Sequence, residues 1–299
     1  MPKLDTQSIT SENLEEYLKS SNDFQFELEI FECCSQAPNA SAEHGGTYVD
    51  PVTKKDRQFD IRMKIIKDAC VLRLAIECKR LKEYFPLLVS RVERKQDESF
   101  HDIVVTRPRH ISIPETGIPE CIPAPTLYRN KDMVGKSTVQ AGIYEGKREQ
   151  SSPEFYSNDA EVYDKWTQAL ASAFELVSRA VHDHRGMPGS RGATVIIPAV
   201  VVPNNTLWVK NYSQGGQSLG GPPTRCDECT LFLGKLYEVP LPYTPFHTAT
   251  VLKYRISHLE IFTQLGFKNY LNRLTQRSYW DDCIFPQKPV ADELLKVPT

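Results

Sequence analysis

No stretch of the 299 residues is long and apolar enough to read as a membrane span. The longest strongly apolar run, ATVIIPAVVVP at residues 193–203, falls well short of the ~20 residues a spanning helix needs and is broken by Pro198. A buried strand is the better reading. The start, MPKLDTQSIT, lacks an apolar core behind a basic stretch, so no export signal is expected. The eight cysteines, at irregular spacing, are then expected to be reduced thiols in the cytoplasm rather than a disulfide framework. A strong charge of either sign is also missing. The net charge of −2 excludes a protein coated in positive field but leaves room for a local basic surface.

Two motif classes are incomplete. Cys226 and Cys229 form a C-x-x-C pair with His247 downstream, but a tetrahedral zinc site needs about four ligands and a second close pair is lacking. Gly215-Gly216 and Gly220-Gly221 lack the lysine of a phosphate-binding loop, so residues 215–223 read as a flexible loop. There is no internal repeat. With 40% hydrophobic and 25% charged residues, the chain is an ordinary globular sequence, read here as one domain over 1–299 with a proline-rich insertion around 105–155.

Residues 11–20 read as a helix capped by Ser11, with acidic residues in its first turn. Residues 24–34 mix strand-like alternation with a helical stripe at Phe24, Leu28 and Phe31; their length and composition favour a helix. A hairpin follows, turning at Asp50-Pro51, after which Phe59, Ile61 and Met63 alternate with Asp60, Arg62 and Lys64. Residues 70–79 form a second strand, with Leu72, Leu74 and Ile76 on one face and Arg73, Ala75 and Glu77 on the other. Residues 85–92 look like another short strand, and the five prolines of residues 107–125 predict an extended connector. The clearest helix lies within residues 157–182, where Trp166, Leu170, Phe174, Val177 and Val181 recur at spacings of three and four. Residues 194–202 form the buried strand, with residues 207–212 expected beside it. Short strands near residues 231–239 and a helix over residues 256–273 complete the reading. This order predicts an α/β fold, a central mixed sheet flanked by helices.

Chemistry concentrates at Asp60, Glu77 and Lys79. Residues i and i+2 of a strand share a face, so Glu77 and Lys79 project together, and pairing of the two strands brings Asp60 to them. Two carboxylates that leave coordination positions open suit Mg²⁺, with Mn²⁺ as a substitute, and the Cys78 carbonyl between the side chains is a candidate further ligand. Such an ion acidifies water and stabilises charge on a phosphodiester; Lys79 is suited to position or deprotonate the attacking water. Between residues 54 and 95 there are 13 Lys/Arg against 6 Asp/Glu. In this basic segment Arg57, Arg62, Arg80, Arg91 and Arg94 are the candidate nucleic-acid contacts.

YVDPVTKKDRQFDI followed by LRLAIECK resembles the core of the PD-(D/E)XK nucleases, the restriction-endonuclease-like superfamily. The resemblance covers residues 24–92. It implies Asp60 as the second-strand acid, Glu77-Cys78-Lys79 as the E-x-K strand, and a glutamate on the preceding helix, Glu29 or Glu32. Gln168 is the candidate polar residue from the later helix. It further implies a metal-dependent endonuclease acting on DNA, in restriction or defence. Cutting both strands of a duplex is simplest with two related sites, so a homodimer or a partner subunit is expected, and no membrane. Two alternatives stay open: a catalytically silent nucleic-acid-binding or scaffold protein of the same fold, and a nuclease acting on RNA.

Overall fold

The computed structural model describes residues 7–51, 53–107, 118–146, 148, 152–158, 160–180, 183, 192–240 and 251–286. The first elements in chain order are α1 (Ser11–Ser21), α2 (Phe24–Ser35), β1 (Ala40–His44), β2 (Thr47–Val49), β3 (Asp56–Gln58), β4 (Ile61–Lys67) and β5 (Cys70–Cys78). Next come β6 (Leu87–Glu93), β7 (His101–Arg107), β8 (Ile118–Ala124), β9 (Met133–Ile143), β10 (Phe155–Asn158) and α3 (Ala160–Ala180). The chain continues through β11 (Gly192–Val202), β12 (Leu207–Tyr212), β13 (Ser218–Arg225), β14 (Glu228–Pro240) and β15 (Val251–Thr263). It closes with α4 (Gln264–Thr275), the short α5 (Arg277–Tyr279) and a π-helical turn, Trp280–Ile284.

One mixed sheet organises these elements, in the order β1-β4-β5-β11-β15-β14-β9-β6-β12-β13, while β2 and β3 form a separate hairpin. β1, β4 and β5 make an antiparallel meander, and β11 runs parallel to β5 with Val200 beside Glu77. Helices α2 and α4 cover one face. Ile61, Met63 and Ile65 of β4 and Leu72, Leu74, Ile76 and Cys78 of β5 pack there against Phe26, Ile30, Phe267 and Leu271. Helix α3 covers the other face with Leu170, Ala173, Leu176 and Val177 over Ala75 and Ile196, and with Val162 and Ala169 near Val200 and Leu259. Because both faces of β11 are covered, all its residues are buried, which is why its sequence is apolar without alternation. Among the described residues no helix is long and apolar enough to cross a membrane.

Pro198 sits in this central strand without a cost in hydrogen bonding. β11 pairs with β7 only at residues 192–194 and with β15 only from Ala199 onward. In the intervening gap the Tyr254 hydroxyl accepts from the Ile196 N–H at 3.1 Å and lies 3.3 Å from its carbonyl oxygen. Position 198, two residues on, presents its nitrogen to the same edge, where no strand needs a donor.

Several expectations are corrected. Helix α1 is capped by Thr10, whose Oγ1 accepts from the Asn13 N–H, rather than by Ser11. Residues 118–124 of the proline-rich segment form β8 rather than a connector; β8 pairs only with β7, and an edge strand tolerates Pro119 and Pro123. Residues 108–117 lie outside the described residues, as do Val181, His182 and His247. β12 pairs with β6 and β13 instead of β11, and the glycine-rich residues 218–225 are that second partner rather than a loop. Residues 256–263 continue β15, and the helix starts only at Gln264, where Thr263 Oγ1 accepts from the Gly266 N–H. β9 has no counterpart in the sequence reading.

Candidate active site

Asp60 precedes β4 and Glu77 ends the polar face of β5, so the antiparallel register of Ile61 with Ile76 puts them side by side. The Cys78 backbone N–H donates to Asp60 Oδ2 at 2.7 Å and anchors that carboxylate to the end of the strand. Glu77 is fully buried, and its Oε1 has no hydrogen-bond partner. Burial first, and then the Asp60 charge, push its carboxyl well above the ordinary glutamate value.

The amine that bridges this pair is Lys165 of α3. Its Nζ lies 2.6 Å from Asp60 Oδ2 and 3.4 Å from Glu77 Oε2. Burial works against the ammonium, but the Asp60 and Glu77 carboxylates outweigh it and raise its pKa above the usual lysine value. Lys165 occupies the sheet-facing stripe of α3 between the buried Val162 and Ala169. A lysine in the apolar stripe of an amphipathic helix was the signal available in the sequence. Lys79, by contrast, lies just beyond the end of β5, where its Nζ meets Asp23 Oδ2 at 3.2 Å.

The glutamate of α2 nearest the pair is Glu27, not Glu29 or Glu32. Its carboxyl is raised by burial and by Asp60, and it lies 3.5 Å from His44 Nε2. Glu29 and Glu32 are exposed and accept hydrogen bonds from Gln264 and Gln36. The helical register puts residue 27 on the strand side and turns 29 and 32 outward. Gln168 stands one turn after Lys165, and its carbonyl accepts from the Tyr48 hydroxyl at 3.4 Å. Burial, and then the Glu77 charge, push that hydroxyl up to about 12, so it stays protonated and donating.

The five arginines do not make one surface. Arg62 is 3% exposed, ion-paired with Glu175 at 2.6 Å and stacked over Phe59, so it is a core residue rather than a phosphate contact. Arg94 is likewise buried, donating to His258 Nε2 and the Arg129 carbonyl, because the sheet is covered on that face too. Arg57 pairs with Asp50, Arg80 is anchored through its backbone N–H to Asp23, and Arg91 donates to Asn211. Cys226 and Cys229 are free thiols in mutual contact, and the hydrogen bond from Cys229 holds the Cys226 thiol below its ordinary pKa.

Among the described residues no cluster of three or more His, Cys, Asp or Glu side chains is arranged to hold a metal. Asp60 and Glu77 do fit one that keeps water: the unpartnered buried Oε1 and the crowded carboxylate pair are both relieved by a cation, and Mg²⁺ commonly takes only one or two carboxylates. Compared with known proteins, the chain matches no family model, no curated protein and no solved structure.

Proposed function

We propose that this chain is a metal-dependent nuclease with a restriction-endonuclease-like core, hydrolysing DNA phosphodiester bonds at Asp60, Glu77 and Lys165. The observation that carries the reading is the buried Glu77 carboxylate pressed against Asp60, with an amine delivered to both. Such a charge-dense cluster costs free energy that a purely structural site avoids with apolar residues. The order α2, β1-β4-β5 meander, α3 and parallel β11 supports the fold side of the proposal.

Asp60, Glu77 and the Cys78 carbonyl would hold Mg²⁺ or Mn²⁺, which supplies positive charge for the phosphate oxygens in the transition state. Lys165 orients Asp60 and offers its proton to charge that develops nearby. The Cys78 N–H keeps Asp60 from rotating away, and Tyr48 ties the hairpin to α3 at Gln168.

A second reading has its own observation. Lys165 already ion-pairs with Asp60 at 2.6 Å and with Glu77 at 3.4 Å, as it would in a nucleic-acid-binding protein that keeps the fold without turnover. Supercoiled plasmid and a matched single-stranded RNA, each incubated in Mg²⁺, in Mn²⁺ and in EDTA with wild type and Glu77→Gln, separate the two. Metal-dependent nicking of plasmid that disappears in the variant supports the nuclease. Cleavage of RNA alone reassigns the substrate, and binding to either nucleic acid without cleavage selects the second reading.

A further inference from the structure

Cys226 and Cys229 bracket the two residues that anchor α4. The Asp227 carbonyl accepts from the Thr263 N–H at 2.8 Å, its Oδ1 accepts from Thr263 Oγ1 at 2.9 Å, and Glu228 ion-pairs with Arg273. The chain bends at Asp227, and the two sulfurs meet. Buried cysteines often serve only as small apolar side chains, so contact alone assigns nothing.

Their surroundings separate the two thiols. Cys229 is buried in β14 among Leu231, Leu259 and Ile261, whereas Cys226 is half-buried. The Cys229 thiol donates to the Cys226 sulfur. The Arg91 guanidinium of β6 and the Glu228 N–H add to that support, against burial and the Asp227 charge. Cys226 is thereby held below the ordinary thiol value, while burial raises Cys33, Cys34, Cys70, Cys78 and Cys121. A reachable thiolate touching a second thiol is the arrangement that a two-electron oxidation to a disulfide needs. Beside Cys229 opens a cavity of about 250 Å³, between α4 and strands β6, β14 and β15. Its charges balance, with Arg91, Arg94 and Arg273 matched by Asp132, Glu228 and Glu260. The buried Tyr270 hydroxyl in its wall has no hydrogen-bond partner. Such a space suits a small neutral molecule with hydrogen-bonding ends rather than an ion.

We propose that Cys226 and Cys229 are a redox-active dithiol oxidised by a hydroperoxide. The Cys226 thiolate attacks one peroxide oxygen, the O–O bond breaks, and Cys226 becomes a sulfenic acid while the other oxygen leaves and takes a proton. The Cys229 sulfur then gives up its proton and displaces the sulfenic hydroxyl, so that the S–S bond forms and water departs. Two electrons pass from the sulfurs to the peroxide, which ends as one alcohol (water, from hydrogen peroxide) and one water. The chemistry is independent of the Asp60–Glu77–Lys165 cluster.

Treating the full chain with stoichiometric hydrogen peroxide, blocking it with iodoacetamide and digesting it with trypsin tests this. Cleavage after Arg225 and Lys235 releases residues 226–235, which hold these two cysteines and no other. That peptide is expected to emerge two hydrogens lighter and unlabelled, and to regain both thiols in dithiothreitol. Its conversion should run ~10-fold or more faster than oxidation at Cys33, Cys70 or Cys283. In Cys229→Ser, dimedone should trap a sulfenic acid at Cys226; in Cys226→Ser it should leave Cys229 unmarked. Three results overturn the assignment: the wild-type peptide keeps both thiols or passes to sulfinic acid without a disulfide, it oxidises no faster than the other cysteines, or dimedone marks Cys229 as strongly as Cys226.

Discussion

Glu77 and Glu260 occupy nearly the same level of one sheet, on opposite faces. Ala199 of β11 pairs with Ile76 on one side and with Glu260 on the other, and Glu77 is the next residue of β5. Burial raises the carboxyl pKa of both. Their neighbours differ. Glu77 faces a second carboxylate and a lysine, so its site carries dense charge with one oxygen unpartnered. Glu260 accepts from two hydroxyls, Thr230 and Tyr128, and the charges near it are the Glu228 carboxylate and the Arg94 guanidinium, which act in opposite directions. Burial alone therefore does not decide what a carboxylate is for. A carboxylate pressed against a second one, with an oxygen left unpartnered, calls for a cation, whereas one held by hydroxyl donors and a guanidinium does not.

The largest effect expected from breaking this comparison is on turnover. If Lys165 is the amine that serves the carboxylates, Lys165→Ala lowers the plasmid-nicking rate by ~10²–10⁴. Lys79→Ala, in which the lost partner is Asp23, costs far less. Initial rates at saturating Mg²⁺ measure both, and equal losses would return the catalytic role to Lys79.

Two buried tyrosines sharpen the contrast next. Tyr254→Phe strips the partner from the Ile196 N–H in the gap of β11 and is expected to cost ~1–3 kcal/mol of unfolding free energy by denaturant titration. Tyr270→Phe is expected to cost nothing measurable. A similar loss in both would mean that Tyr270 has a structural partner after all.

A smaller effect concerns pH. The folded-state carboxyl of Glu260 sits near 7 and its unfolded value near ~4.5, so the folded form binds the proton more tightly in that window. Its contribution is intact below the lower value and is lost as pH rises towards 7. Glu260→Gln removes this loss, so thermal midpoints of variant and wild type should diverge in favour of the variant between pH 5 and ~7.5. A constant difference across the range would contradict a raised Glu260. His101 acts in the opposite direction: burial lowers it to about 4, so its contribution is lost on acidification below its unfolded value of ~6.5. The smallest change is expected for Glu29→Gln and Glu32→Gln, which should leave nicking unaltered because both side chains face solvent.

What the sequence disclosed follows a physical rule. β4, β5 and α3 are legible because each repeats its burial pattern over several turns or pleats, β11 because its run is apolar throughout, and the strand register then puts Asp60 beside Glu77. Length and composition give α2 as a helix but not its face: it buries Phe26, Ile30 and Cys34, and Phe24 and Leu28 of the expected stripe are exposed. For Lys165 the sequence offers only a lysine in the apolar stripe of α3; its meeting with Glu77, 88 positions earlier in the chain, is encoded by no local spacing. β8 and β13 were read as irregular because proline and glycine usually end strands, yet strands with few neighbours accept them. In the second half of β15, Ile256, Leu259 and Phe262 mimic a helical stripe because both faces of the strand are buried there. The Glu260 cavity draws its walls from β6, β14, β15 and α4 and had no sequence signature at all.

The parallel placement of β11 has a consequence for biosynthesis. β5 leaves the ribosome early, but its neighbour on the inner side is made more than a hundred residues later, and β11 in turn waits for β15. Until then the nascent chain presents an apolar strand edge with unpaired amides, a template for association with other chains. Translation of this protein therefore carries a long window of exposure, and its folding rate is set by distant pairings rather than local ones. Truncation before β11 should yield an insoluble product even though the whole Asp60–Glu77–Lys165 cluster is encoded upstream.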